Sequence, residues 1–597
     1  MGSQTPSVHS DNATVVIDSE KQGSNISSSS NPIPTASKVS LPISNDKQEY
    51  IEHQQNMQQG DDGQKMEVDI ETSSTKNGNL DPGPGNPALD DQVVSLPFKE
   101  LMIVFVGLML GIFLSSLDQT IVSVCTPKIA NEFNGLNEVP WIGTSYLLTS
   151  TTFQPLYGKG SDIFGRKATF LFAITVFLIG SALCGAAQSM IWIIVARGIA
   201  GVGAGGIMSM VMIIITDLVS LRDRGKYQGI IGAVFGFSSV IGPLLGGVFT
   251  DKASWRWAFF VNLPIGLITI AAVVKLLHLP HTKGSFKEKL KRVDMLGSLT
   301  LVIGLVLVLL PLNWGGSTYA WNSPLVIGLF CAGFAVLLIF CFVEWKVALE
   351  PIIPFRLFKS RTNVAVFLTC MFIGMGFFGI MFFMPLFFQI VRQETATSSG
   401  LEMLPLIVGL LIASIASGFM VSKWGQYRPF IWVGMVLSTT GIGLLQLVQE
   451  NSSRGEIIGF LFINGLGLGF SMQTVMLAIQ SSVATKDIAV ATANATFFRT
   501  VGSVFGVAIA GTIFNNSLKD NLAPLIAINP EIVKVIANSY LAPTFGAETE
   551  ALILHAYMLA LRDAFRVCIP FMALGFVSSL FIQHHKLRKS LGPTPME

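Results

Sequence analysis

Fourteen long apolar stretches follow one another between about Leu101 and Ile582, and no other feature of this chain limits its fold as strongly. A bilayer crossing needs roughly 20 apolar residues for about 30 Å of hydrocarbon. Leu101 to Ser116, Ala168 to Ala187 and Asn363 to Gln389 meet or approach that length. Lipid offers backbone amides no partner, so each crossing must be a helix. Of 597 residues, 51% are hydrophobic and only 13% charged, a balance that belongs in a bilayer rather than in several soluble domains. The expected fold class is all-α integral membrane, with spans beginning near residues 101, 140, 168, 190, 229, 258, 295, 324, 363, 400, 428, 455, 489 and 563.

A formal charge of +2 is too small to point to nucleic acid, so its distribution is more informative than its sum. Lys287, Lys289, Lys291 and Arg292 fall in a predicted inner loop, and the inner loops hold most of the Lys and Arg if the N-terminus lies inside. An even number of spans then leaves both termini in the cytosol. The six cysteines lie in or beside apolar stretches without paired spacing, which reads as packing rather than a disulfide framework or a zinc site. No metal or other cofactor is expected. No cleavable signal opens the chain, so the first span serves as the targeting signal.

Residues 1–95 are rich in Ser, Asn, Gln, Asp and Pro and have no sustained apolar period, which predicts a disordered cytosolic tail. Residues 96–278 then form a six-span half, 279–360 an inner loop with spans 7 and 8, 361–583 a second six-span half, and 584–597 a cytosolic tail. The one long outer loop is expected at about 516–562, with a short helix from Ala551 to Arg562. Asn451 and Asn515 open glycosylation sequons on the outer side.

The halves are visible as an internal repeat. Gly201-x-Gly203-x-Gly205 of span 4 recurs as Gly465-x-Gly467-x-Gly469 of span 12. Gly242 and Gly247 of span 5 meet Gly506 and Gly511 of span 13 at the same offset, and Gly158 and Gly165 match Gly418 and Gly425. Charges do not follow the repeat: Asp162 corresponds to Ser422, and Arg197 to Leu461. Two parallel six-helix halves with a site between them suit a rocking transporter.

The turn Gly158-Lys159-Gly160-Ser161-Asp162-Ile163-Phe164-Gly165-Arg166-Lys167 has glycines for unusual backbone angles and an acid four residues before an arginine. It resembles the signature loop of the major facilitator superfamily, with Gly160 and Ile163 departing from the usual Leu and basic residue. Arg197 to Gly205 is similar to that superfamily's arginine-bearing fourth helix. Its Gly201-x-Gly203-x-x-Gly206 matches the dinucleotide fingerprint formally, but no strand precedes it, and such glycines let membrane helices approach closely. Gly236 to Gly247, with Gly242-Pro243 and Gly246-Gly247, resembles the antiporter signature of span 5; a kinked gate is the implied role. Leu117 to Pro127 and Trp255-Arg256-Trp257 with Asn262-Leu263-Pro264 resemble the fourteen-span drug:proton antiporter family. Ser123 and Thr126 stand where members often have Asn and Leu. The resemblance spans about residues 98 to 585. It implies a major facilitator fold of two six-helix halves plus two inserted helices.

Asp118 in the first span needs no resemblance to attract notice. Translocon scales put an acid in mid-membrane at roughly 2.5 to 3.5 kcal/mol, so such a carboxylate is a functional hypothesis by default. It is read as the proton carrier with Arg197 as partner, against the alternative of a permanent structural pair. Arg499 in span 13 is the other deep charge, expected either to meet an anionic substrate group or to organise the second half. Met371, Met375, Phe378 and Phe382 recur at steps of four, three and four along span 9, ending near Gln389, and offer an adaptable apolar surface. Met375, Phe378, Phe382, Gln389 and Arg499 are the substrate-binding candidates. Gly158, Asp162, Gly165, Arg166, Gly242, Pro243, Gly246 and Gly247 are the gate candidates.

These features predict a non-enzymatic, proton-coupled exporter of small amphipathic compounds, a monomer in the plasma membrane. No Gly-x-x-x-x-Gly-Lys-Ser/Thr loop is present, so ATP is not the expected driver. The rivals are a vacuolar basic amino-acid antiporter, an iron-chelate carrier, a non-transporting nutrient sensor and a channel.

Overall fold

The computed structural model describes residues 97–133, 138–221, 223–277, 285–316, 319–533, 545–585 and 587. The expected N-terminal tail, and the C-terminal tail from residue 588, lie outside these residues. Fourteen long helices fill the described part, in order α1 Phe98–Glu132, α2 Val139–Phe164, α3 Arg166–Gly185, α4 Met190–Leu218, α5 Arg224–Lys252, α6 Asn262–Leu276 and α7 Met295–Trp314. There follow α8 Pro324–Lys346, α9 Arg361–Leu386, α10 Leu404–Trp424, α11 Arg428–Leu444, α12 Arg454–Ser482, α13 Ile488–Ile528 and α14 Ala547–Leu580. Thirteen stretches are long and apolar enough to cross a membrane. The exception is α2, whose polar run Ser150-Thr151-Thr152 with Gln154 is buried in the protein rather than turned to lipid.

The sequence repeat is a repeat of packing. Helix α1 packs on α4, α5 and α6, as α9 packs on α12, α13 and α14. Likewise α4 receives α2 and α3, as α12 receives α10 and α11. The halves meet along α5 against α10 and α2 against α13. The inserted α7 and α8 pair with each other, and α7 touches both α2 and α13, so the insertion stands at that seam.

Glycines explain why α4 and α12 sit at the centre of each half. Gly201 and Gly205 lie against the backbone of Tyr146 and Ser150 on α2, and Gly203 against Ala173 and Phe177 on α3. In the second half, Gly465 and Gly469 meet Leu406 and Leu410 on α10, and Gly467 meets Gly434 and Ser438 on α11. One helix thus presents alternate glycines to two neighbours at backbone distance. Between the halves, Gly225, Gly229, Gly232 and Gly236 of α5 run along Gly418, Ser414 and Ile407 of α10.

The outer connection differs from the expected loop at 516–562. Helix α13 continues to Ile528 and α14 begins at Ala547, so the expected short helix is the opening part of α14. Leu518, Leu522, Ile553, Ala556 and Tyr557 are buried at helical spacing, and this apolar stripe carries both helices past the membrane-length apolar core. Asn515 consequently sits inside a helix, and the Ser517 hydroxyl of its sequon donates to Asp563 at 2.6 Å. Asn451 lies exposed in the turn before α12. The cysteines are free, and Cys331 and Cys341 on α8 are exposed rather than packed.

A Cβ at Gly203 would stand 2.6 Å from the Ala173 carbonyl oxygen and the Phe177 Cα, whereas one at Gly160 meets nothing within 4 Å. Gly203→Val should therefore lower the unfolding midpoint in detergent strongly, by at least the 1 to 3 kcal/mol typical of overpacking, with Gly160→Ala close to wild type. Equal midpoints for the two variants would refute the packing role.

Candidate functional site

The structure brings Asp118 and Arg197 together. Asp118 is wholly buried and Arg197 is 2% exposed, and the guanidinium donates from Nη1 to Asp118 Oδ2. Asn262 donates to Asp118 Oδ1 at 3.1 Å and to Ser181 Oγ at 2.9 Å. Arg197 also donates from Nε to the Ile142 carbonyl at 3.2 Å and lies 4.1 Å above the Tyr146 ring. The Tyr146 hydroxyl donates to the Ser115 carbonyl at 3.2 Å. One side chain each from α1, α2, α3, α4 and α6 therefore forms a polar cluster inside the first half. Removing either charge would leave the other buried and unpaired, at a cost of several kcal/mol.

Ser115 and Gln119, one turn or less from Asp118, line a cavity between the halves. Ser150 and Gln154 of α2, Met208 and Met212 of α4 and Phe235 of α5 are among the other residues of its first-half wall. The second half supplies Phe377 and Phe378 of α9, Leu410 of α10, Met472 and Gln473 of α12, and Arg499, Thr500 and Ser503 of α13. Of the five expected binding residues, Phe378 and Arg499 line this cavity and the other three do not. Met375 is buried against Gly506, Phe382 is 57% exposed away from the cavity lining, and Gln389 donates to Ser399 from the π-helical turn Phe387–Val391. A stripe at steps of four and three spreads across the helix face as it rises, so only part of it meets any one neighbour. The glutamines, Met472 and Phe377 were missed because a lone polar or apolar residue in a span carries no signal about which way it points.

The turn after α2 is a charge network. Arg166 donates to Asp162 at 2.5 Å, Ser161 at 2.6 Å and Asp217 at 2.8 Å, the last residue lying at the end of α4 and absent from the sequence reading. Gly165 has φ of +95° between α2 and α3, and its counterpart Gly425 has φ of +74°, angles that a β-branched residue avoids. A Cβ at Gly158 would stand 2.7 Å from Ala493 Cβ on α13, and Gly242 lies against Thr120 on α1. Gly246 is buried, but a Cβ at Gly247 would meet nothing within 4 Å, so close packing there fails. Pro243 lies within the unbroken α5, its side chain outside the described set.

On the face bearing this turn the two halves are in contact. Gly225 meets Gly418, Gly158 meets Ala493, and the Ser422 hydroxyl donates to Asp223 at 3.1 Å across the halves. Glu350, just after α8, holds Lys159 of the turn at 2.8 Å and Arg292 at 2.6 Å, so it ties the inserted pair to the first half. The hydrogen bond from Arg292 is the main influence on Glu350; with that from Lys159 it outweighs burial and holds the carboxyl below its usual range. A depressed folded value means the clasp stabilises above the ordinary carboxylate range and is lost as pH falls through the lowered value. Glu350→Gln should thus lower the unfolding midpoint at neutral pH and converge with wild type in acid. A difference that persists unchanged at low pH would show that the clasp is not the cause.

These features agree with comparison to known proteins. The family description "Major Facilitator Superfamily" matches residues 108–507. The chain is 35% identical over 508 residues to "Multidrug transporter protein MdtP" of Bacillus subtilis (strain 168), covering 81% of this chain and 93% of that one. It is 36% identical over 489 residues to "MFS-type efflux pump MFS1" of Arthroderma benhamiae, covering 81% and 91%. The fold is shared with the solved proton:xylose symporter XylE at a TM-score of 0.52 and 13% identity, covering 81% of this chain and 95% of that one. With the repeat, the charged turn and the paired halves all in place, the chain belongs to the major facilitator superfamily, in the branch of its drug efflux proteins.

Proposed function

We propose that this protein is a secondary active transporter that exports small amphipathic organic compounds in exchange for protons by alternating access. The observation that carries the reading is the buried Asp118–Arg197 pair beside a cavity formed by both halves. A proton taken up by Asp118 cancels its attraction for Arg197 and leaves a buried cation without its counter-charge. That penalty is of the size needed to bias one packing of the first half over another. The packed glycines of α5 and α10 and the turn at Asp162–Arg166 supply the gate on one face. The efflux names of the similar proteins support export, and export from the cell requires a plasma-membrane location. Both halves of the cavity come from one chain, which suits a monomer.

The driving force is adequate. A proton entering down 100 mV releases about 2.3 kcal/mol and one pH unit adds about 1.4 kcal/mol. Together they sustain a gradient of roughly several hundredfold for a neutral compound at one proton per molecule.

Asp118→Asn keeps size and removes titration. In vesicles with an imposed pH gradient it should abolish accumulation while leaving equilibrium binding of the same compound within a few-fold. Undiminished accumulation by this variant would exclude Asp118 as the carrier.

Asp223→Ala removes the hydrogen bond from Ser422 across the face where the halves are in contact. With Cys331 and Cys341 changed to Ser, maleimide labelling of Ser503→Cys in the cavity should rise roughly three- to tenfold, as expected for about 1 kcal/mol of lost closure. Labelling that stays constant would place the gate elsewhere.

A further inference from the structure

Arg499 is the one charged side chain in the lining of the central cavity, and among the described residues it has neither a hydrogen bond nor an ion pair. Other deep cations have partners: Asp118 for Arg197, Asp162 and Asp217 for Arg166, and for Arg224 the Val219 and Thr216 carbonyls, which accept from Nε and Nη2 while Nη1 is left without a partner. No carboxylate lines the cavity to serve Arg499. Its backbone position is also fixed. Gly374 of α9 lies directly against the Arg499 carbonyl, and Gly502, one turn on, against the Met371 carbonyl, so the α13 backbone that carries the guanidinium is packed tightly on α9. Beside it stand Phe377 and Phe378, with Gln154 across the cavity, whose buried Oε1 also lacks a partner.

We infer that the cavity takes organic anions: a flat or aromatic body against Phe377 and Phe378, and a carboxylate or similarly acidic oxygen on Arg499. This rests on the reading of the cavity as the substrate site. A guanidinium confined between the halves is disfavoured without a counter-charge even beside neutral polar groups, and a planar oxyanion supplies both charge and two acceptors for its fork of donors. A cationic compound would meet like charge with nothing to offset it. The assignment also sets the charge balance of the cycle. A monoanion leaving and a proton entering each move charge in the direction favoured by an inside-negative potential, so export would be electrogenic.

The test compares two xanthene dyes of similar shape, anionic fluorescein and cationic rhodamine 6G, binding to the full chain in detergent at neutral pH, read by fluorescence polarisation. Wild type should bind fluorescein at least about tenfold more tightly than rhodamine 6G. Arg499→Gln should erase that preference by weakening fluorescein about tenfold or more, and Arg499→Lys should restore part of it. The wild-type comparison needs no variant and stands if one misfolds. A wild type that prefers rhodamine 6G, or binds no fluorescein saturably, overturns the inference, as does an Arg499→Gln variant that weakens both dyes equally. Because binding is read without a proton gradient, anion binding with no transport defeats the transporter reading alone, whereas proton-driven transport with a preference for the cation defeats this inference alone.

Discussion

In lipid, helices gain little by hiding apolar side chains from one another, so the arrangement of this chain depends on backbone-to-backbone contact at glycine. Gly203 of α4 against α3 and Gly467 of α12 against α11 show the device: a single added methyl group would overlap the neighbouring helix. The same contact that builds each half, repeated between Gly225 and Gly418, joins the halves. Contacts without interlocking side chains hold two surfaces close yet let them part without unpicking a jigsaw of rotamers. The alternating access proposed above needs that combination.

Charge is layered unevenly on this symmetric frame. The first half buries Asp118 and Arg197 as a pair with Asn262 and Tyr146, whereas the position matching Arg197 is Leu461. The second half carries Arg499 at the cavity wall, and its core otherwise uses neutral groups such as Asn464, which accepts from Ser438 at 2.7 Å. The buried ion pair and the cavity's one arginine therefore lie in different halves, although both halves line the cavity. The inserted α7 and α8 stand at one side of the seam between the halves, and Glu350 anchors them to the charged turn.

The sequence by itself determined the helices, their number and their pairing. Apolar length dictates spans because lipid leaves the backbone no alternative, and glycine spacing revealed the repeat because few residues other than Gly allow such approach. It also exposed Asp118, Arg197 and Arg499, since an ionised group in a span is costly wherever it points. The tertiary structure alone decided direction and partnership: that Phe378 faces the cavity while Phe382 does not, that Asp217 completes the Arg166 network, that Gln119, Gln154 and Gln473 line the cavity, and that α13 and α14 extend to 41 and 34 residues. Those outcomes depend on the rotation of each helix about its axis, and in a helix apolar on nearly every side no local pattern sets that angle; only the neighbours it packs against do.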